Sequence, residues 1–151
     1  MPRELLPRLH LNIALLVGPL STCYRLRVGC VLTDLTMEQV MGYGYNGNAA
    51  GLPNTCEREE PGNCGCVHAE VNAIMKAGRG EKLAFATAAP CPACAKAYVN
   101  AGVRRVFYLP GYRLEEQGLR ILTQAGVIFQ SMSHVEAMRP FIWKHYPTVE
   151  M

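Results

Sequence analysis

Two short stretches of this chain hold residue types able to do metal chemistry: His68-Ala69-Glu70, and Pro90-Cys91-Pro92-Ala93-Cys94 about one helix and one strand further on. One imidazole and two thiolates make three ligands, and zinc takes four. Three protein ligands with one open position describe a catalytic site, in which water completes the tetrahedron; a structural site would need a fourth protein donor. Glu70 stands two residues from His68 and is not needed as a ligand. Its carboxyl is therefore free to carry protons beside that water. A redox reading of the C-x-x-C pair would leave His68 and Glu70 without a purpose.

Cys64-Gly65-Cys66, just before His68, and Cys56 upstream of it also have the look of clustered metal ligands. Reduced, partly buried thiols are the other reading, and for Cys30 packing is the expected role. The seven cysteines are an odd number, and Glu4 and Pro7 do not suit a secretory leader. A reduced, cytoplasmic protein with thiols serving metal is expected rather than a disulfide framework.

The elements that must position these residues follow from periodicity. Pro7 to Gly18 reads as a helix with Leu9, Ile13, Leu16 and Val17 on one stripe. Val28–Asp34 and Gln39–Tyr45 read as a hairpin. Residues 46–66, with four glycines, two prolines and three cysteines, read as a long loop, which is usually functional. Helices are then expected over 67–77, 91–101, 114–125 and 134–143, with strands over 83–88, 105–109 and 127–130. Val71, Ile74 and Met75 are the core candidates of the second helix. A hairpin followed by helix–strand alternation argues for an α/β sandwich with a mixed sheet. Right-handed crossovers would put the two helices that begin near His68 and Cys91 on one face, N-termini towards the metal.

Composition narrows the function classes. Half of the 151 residues are apolar and 18% are charged, which suits one globular domain over 1–151. A net charge of +3 with no basic stripe argues against a nucleic-acid partner. Arg25 with Arg27, or Arg104 with Arg105, could hold a single phosphate. No apolar run reaches the roughly 20 residues needed to span a bilayer, so no membrane role is expected.

Five pieces stand in a shared order: Arg27-Val28-Gly29; Gly44-Tyr45-Asn46-Gly47; His68-Ala69-Glu70-Val71-Asn72-Ala73-Ile74; Pro90-Cys91-Pro92-Ala93-Cys94-Ala95-Lys96; and Ala101-Gly102-Val103-Arg104-Arg105-Val106. On these the chain resembles the cytidine deaminase-like superfamily and, more narrowly, the deoxycytidylate (dCMP) deaminases, from Leu9 to Val127. The resemblance implies a three-layer α/β/α sandwich with a five-stranded mixed sheet. It implies zinc on His68, Cys91 and Cys94, and Glu70 relaying protons while hydroxide attacks C4 of cytosine, giving dUMP and ammonia. It allows a second, structural zinc on Cys23, Cys56, Cys64 and Cys66. It makes Asn46, Ala69, Arg27, Tyr112 and Arg79 candidates for holding the nucleotide. Turn formation at Asn46, solvated arginines and helix-flanking packing at Tyr112 are the plainer readings of those positions. The family's homohexamers, activated by dCTP and inhibited by dTTP, are implied partners and effectors. The chain departs from the family pattern at Ala88-Ala89, where a polar residue and a serine are usual. A deaminase of another base or nucleoside, or a non-catalytic zinc module, are the rival expectations.

Overall fold

Residues 29–33, Gly-Cys-Val-Leu-Thr, are buried at every position, as a strand covered on both faces must be. In the computed structural model, which describes residues 3–58 and 64–139, they form β1 (Gly29–Thr33). β1 pairs antiparallel with β2 (Val40–Tyr45), and the turn between them is closed by Asp34, whose Oδ1 accepts from the backbone of Glu38 and Gln39. β1 also pairs antiparallel with β3 (Lys82–Ala86). β4 (Val103–Tyr108) and β5 (Ile128–Ser131) extend the sheet in parallel, giving the order β2-β1-β3-β4-β5. This is the five-stranded mixed sheet expected.

Three helices cover one face: α2 (Ala69–Ala77), α3 (Pro92–Asn100) and α4 (Glu115–Gln124), packed around Ala73, Ala84, Tyr98 and Leu122. The other face carries α1 (Leu6–Val17) and α5 (His134–Met138), around Leu11, Val31, Phe85 and Ala137. Two glycines set how closely the first layer sits. A methyl group at Gly44 of β2 would run into the Ala69 carbonyl of α2, and one at Gly118 of α4 would run into the Pro90 carbonyl. Both contacts therefore fix the two segments that carry the candidate metal donors.

Two details of the expected core differ. The buried stripe of α1 is His10, Leu11, Ala14 and Val17, while Leu16 is 77% exposed. His10 takes the inner place because its ring packs at 4.9 Å from Phe85 and its Nε2 lies 2.8 Å from the Met37 carbonyl. On α2 the inner face is Ala69, Glu70, Ala73 and Ala77; Val71 and Ile74 are half-buried and Met75 is 72% exposed. The close glycine contact with β2 leaves room for alanine there, and the larger side chains turn outward. α5 ends at Met138, and the expected continuation to Trp143 lies outside the described residues. Among the described residues no helix is long and apolar enough to cross a membrane.

Candidate active site

His68 is the residue before α2, held extended at φ −69° and ψ 152°. Cys91 holds the same place before α3, at φ −68° and ψ 168°, with Pro92 opening the helix. Cys94 lies one turn inside α3 and its backbone N–H points at Cys91 Sγ, 3.5 Å away. His68 Nδ1 is 3.3 Å from Cys94 Sγ and 3.5 Å from Cys91 Sγ. In a tetrahedral zinc site, bond lengths of about 2.0–2.1 Å to nitrogen and 2.3 Å to sulfur place those atoms about 3.5 Å apart. The three donors fit the ion.

Their electrostatics fit as well. The Cys94 thiol, working against burial and together with the His68 imidazole, holds the Cys91 thiol down to about 4. Cys91 in turn holds the His68 imidazole up, at about 8. A divalent cation replaces the protons such a set retains. Glu70, in the first turn of α2, is 4% exposed and its carboxyl hydrogen-bonds the Cys94 side chain. Burial pushes that carboxyl above the usual carboxylate range. Cys30 packs behind this group, fully buried and 3.4 Å from the Tyr98 hydroxyl, as its strand position suggested.

A cavity of about 1050 Å³ opens over the site. Its more buried lining is His68, Ala69, Glu70, Cys91 and the Thr87–Ala89 stretch, and its more open lining is exposed Tyr24, Arg113 and His134 with half-buried Arg25. Asn46 lines the wall between them and clamps the neighbouring chain: its Oδ1 accepts from Val28 N–H (2.8 Å) and its Nδ2 donates to the Leu26 carbonyl (2.7 Å).

A second donor set stands beside the first. The sulfurs of Cys23, Cys56, Cys64 and Cys66 lie within 4.8 Å of one another, with Cys56 3.5 Å from Cys23 and 4.0 Å from Cys66. The turn after Cys23 wraps these sulfurs: the backbone of Arg25 and of Leu26 hydrogen-bonds Cys23, and that of Tyr24 hydrogen-bonds Cys56. Burial pushes the Cys23 thiol up, but those hydrogen bonds, with the Cys56 and Cys64 thiols, outweigh it and bring the group down to about 7. Four cysteines complete a tetrahedron without water, the arrangement of a closed site. Cys23, Cys64 and Cys66 also face the cavity.

Residues 7–110 match the family profile described as the cytidine and deoxycytidylate deaminase zinc-binding region. The chain belongs to that family. Both donor sets suit the zinc for which the family is named. Deoxycytidylate deaminase of Saccharomyces cerevisiae is 33% identical over 143 residues, covering 85% of this chain and 45% of that protein. The Schizosaccharomyces pombe enzyme is 31% identical over 133 residues, 78% of this chain and 41% of its own length. The chain thus spans less than half of either fungal relative. The dCMP deaminase of cyanophage S-TIM5, solved with dCMP and dUMP, superposes with a TM-score of 0.76 at 31% identity, covering 87% of this chain and 99% of that one.

In this family member the structure gathers His68, Ala69, Glu70, Cys91, Asn46 and Tyr112 around one cavity. Cys94 lies buried beside them and the four remaining candidate cysteines form their own cluster. Arg27 and Arg79 are not on the cavity wall. Arg27 is exposed and its Nε is 3.4 Å from the Cys23 carbonyl; Arg79 is exposed past the far end of α2. Arg104 pairs with Glu81 and Arg105 stacks on Phe107, both off the cavity. The cations on the rim are Arg25 and Arg113. Arg25 stands two residues from Cys23, a usable signal; Arg113 follows Tyr112; His134 arrives from a distant helix and no local pattern announces it.

Proposed function

We propose that this chain deaminates dCMP hydrolytically to dUMP and ammonia, with zinc held by His68, Cys91 and Cys94. One observation carries the reading: a buried carboxyl, Glu70, sits against a three-donor metal set at the closed end of a cavity with a cationic rim. Relatives named for that reaction support it. Bound zinc would supply Lewis acidity, which lowers the pKa of water towards about 7. The rest falls to the chain. Deamination puts the water oxygen on C4, and the two water hydrogens end on N3 and on the departing amine. Glu70 moves them in this reading, and burial, which raises its carboxyl above the usual carboxylate range, favours taking up a proton and handing it on. Apolar and small groups at the closed end, among them Ala69, Ala88 and Ala89, keep bulk water from competing for that carboxyl.

The rim serves the nucleotide. Arg25 and Arg113 are the groups for the 5′-phosphate, and Tyr112 and Asn46, which line the same cavity, are the candidates beside the sugar and base. A charge-assisted hydrogen bond is worth about 1.5–3 kcal/mol. Arg25→Ala should therefore lower kcat/KM for dCMP by about 10–200-fold, whereas Arg27→Ala should leave it within about twofold. The four-cysteine cluster is read as a second zinc site that joins the 23–26 turn to Cys56 and to the Cys64–Cys66 stretch. Self-association is supported by the apolar groups left outside on α1 and α5, Leu16, Val135 and Met138 among them. The deciding experiment measures ammonia release from dCMP, CMP, deoxycytidine and cytosine. dCMP should be fastest; faster turnover of deoxycytidine would overturn the nucleotide reading.

A further inference from the structure

We propose that the four-cysteine cluster, filled by a thiophilic divalent cation such as zinc, positions the phosphate end of the cavity and so sets affinity for the phosphorylated ligand. This deepens the reading of the substrate given above and rests on it. The cluster is not remote from the cavity; three of its four sulfur-bearing residues line the wall. Arg25 is carried on a turn with no helix or strand to hold it. Sulfur holds its near end: Tyr24, Arg25 and Leu26 all direct backbone hydrogen bonds at Cys56 or Cys23. Asn46 fixes the far end of the same turn through Leu26 and Val28. Cys64 and Cys66 tie the cluster to the chain that runs into His68. A cation that draws four sulfurs together therefore also fixes where the Arg25 side chain starts. Without a cation nothing bonds the four sulfurs to one another, and the turn keeps only its backbone hydrogen bonds to Cys23 and Cys56 and the Asn46 clamp.

The test uses the products, which bind without reacting. Cys56 is chosen because it belongs to the cluster but does not line the cavity. In Cys56→Ser, metal analysis should show one zinc lost per chain. Calorimetry should show the Kd for dUMP rising at least tenfold, with that for deoxyuridine changing less than about threefold. The double variant Cys56→Ser/Arg25→Ala should bind dUMP no worse than Arg25→Ala alone, since both act on one contact. An unchanged dUMP affinity after loss of that zinc, or equal losses for dUMP and deoxyuridine, would overturn the proposal. If Cys56→Ser does not fold, the reciprocal measurement on the wild-type protein decides, because coupling between two sites acts equally in both directions. In equilibrium competition with a chromogenic chelator, dUMP should tighten binding of the second zinc at least tenfold more than deoxyuridine does, and Arg25→Ala should abolish the difference. Equal tightening by the two ligands would sink the idea. A wild-type protein that holds dUMP no more tightly than deoxyuridine would instead remove the phosphate reading itself, and this inference with it.

Discussion

The two donor sets of this molecule are built on different foundations. His68, Cys91 and Cys94 stand at the N-termini of α2 and α3, whose places are fixed by Gly44 against Ala69 and Gly118 against Pro90. Their geometry comes from helices packed on a sheet, and the ion enters a site already shaped. Cys23, Cys56, Cys64 and Cys66 come from a turn and a loop. There no helix or strand carries the donors, and the ligands join segments otherwise fastened by single hydrogen bonds such as Thr22 to Asn54 and Glu57 to Cys64 and by the Asn46 clamp. One set uses the fold, and the other completes it.

The largest expected effect tests the first set. Glu70→Gln keeps the side chain's size and removes its proton. Turnover should fall by at least the 10²–10⁴-fold that general acid–base catalysis contributes, while metal analysis still finds zinc on His68, Cys91 and Cys94. Near-normal turnover would mean that Glu70 only fills space. Next, Cys91→Ala and Cys66→Ala should part company. Losing Cys91 removes a ligand from a preformed site, so zinc and activity should fall together with a small change in Tm. Losing Cys66 should lower Tm first, since structural metal contributes folding free energy, and each kcal/mol moves Tm by about 2–4 °C in a domain of this size. Calorimetric scans showing equal Tm losses for both variants would erase the distinction drawn here.

The smallest effect lies on the opposite face of the sheet and serves as a control for both sets. Burial holds the His10 imidazole below its ordinary value of 6.5, against the Met37 carbonyl and Asp34, which push the other way. The folded protein keeps this ring neutral, whereas the unfolded chain protonates it below 6.5. Its contribution to stability is therefore full above that pH and is lost as pH falls through the lowered folded value. Tm measured from pH 7.5 down to 5 should decline less in His10→Gln than in the wild type. Identical slopes would show that His10 is not the titrating group.

How much of this was legible in the chain depends on the range of the cause. The His68–Glu70 and Cys91–Cys94 spacings are local, and each puts its residues at one helix start, so the metal set could be read directly. The hairpin and the helix–strand alternation were legible for the same reason. Met75 and Leu16 were misplaced because their orientation is decided by partners across a layer: glycines of β2 in one case, a buried histidine in the other. Arg25 and Arg27 look alike on the page of residues, and only the wrapping of the turn around Cys23 puts one on the cavity and the other in solvent. His134 needed the tertiary fold outright.

The stretch between the two donor sets has one more consequence, for what lengths of chain this family member can tolerate. Cys66 and His68 are separated by Val67 alone, and both backbone groups of Val67 are paired with Gly47, N–H to carbonyl at 2.7 Å and carbonyl to N–H at 3.1 Å. Nothing there can take up slack. One inserted or deleted residue would break the pairing with Gly47 and pull a ligand out of one set or the other. The chain between Cys56 and Cys64 has seven residues to join two ligands, and lengthening such a connection changes closure entropy only slowly. Insertions in descendants of this sequence should therefore accumulate upstream of Cys64 and stop short of it, however freely single side chains are exchanged.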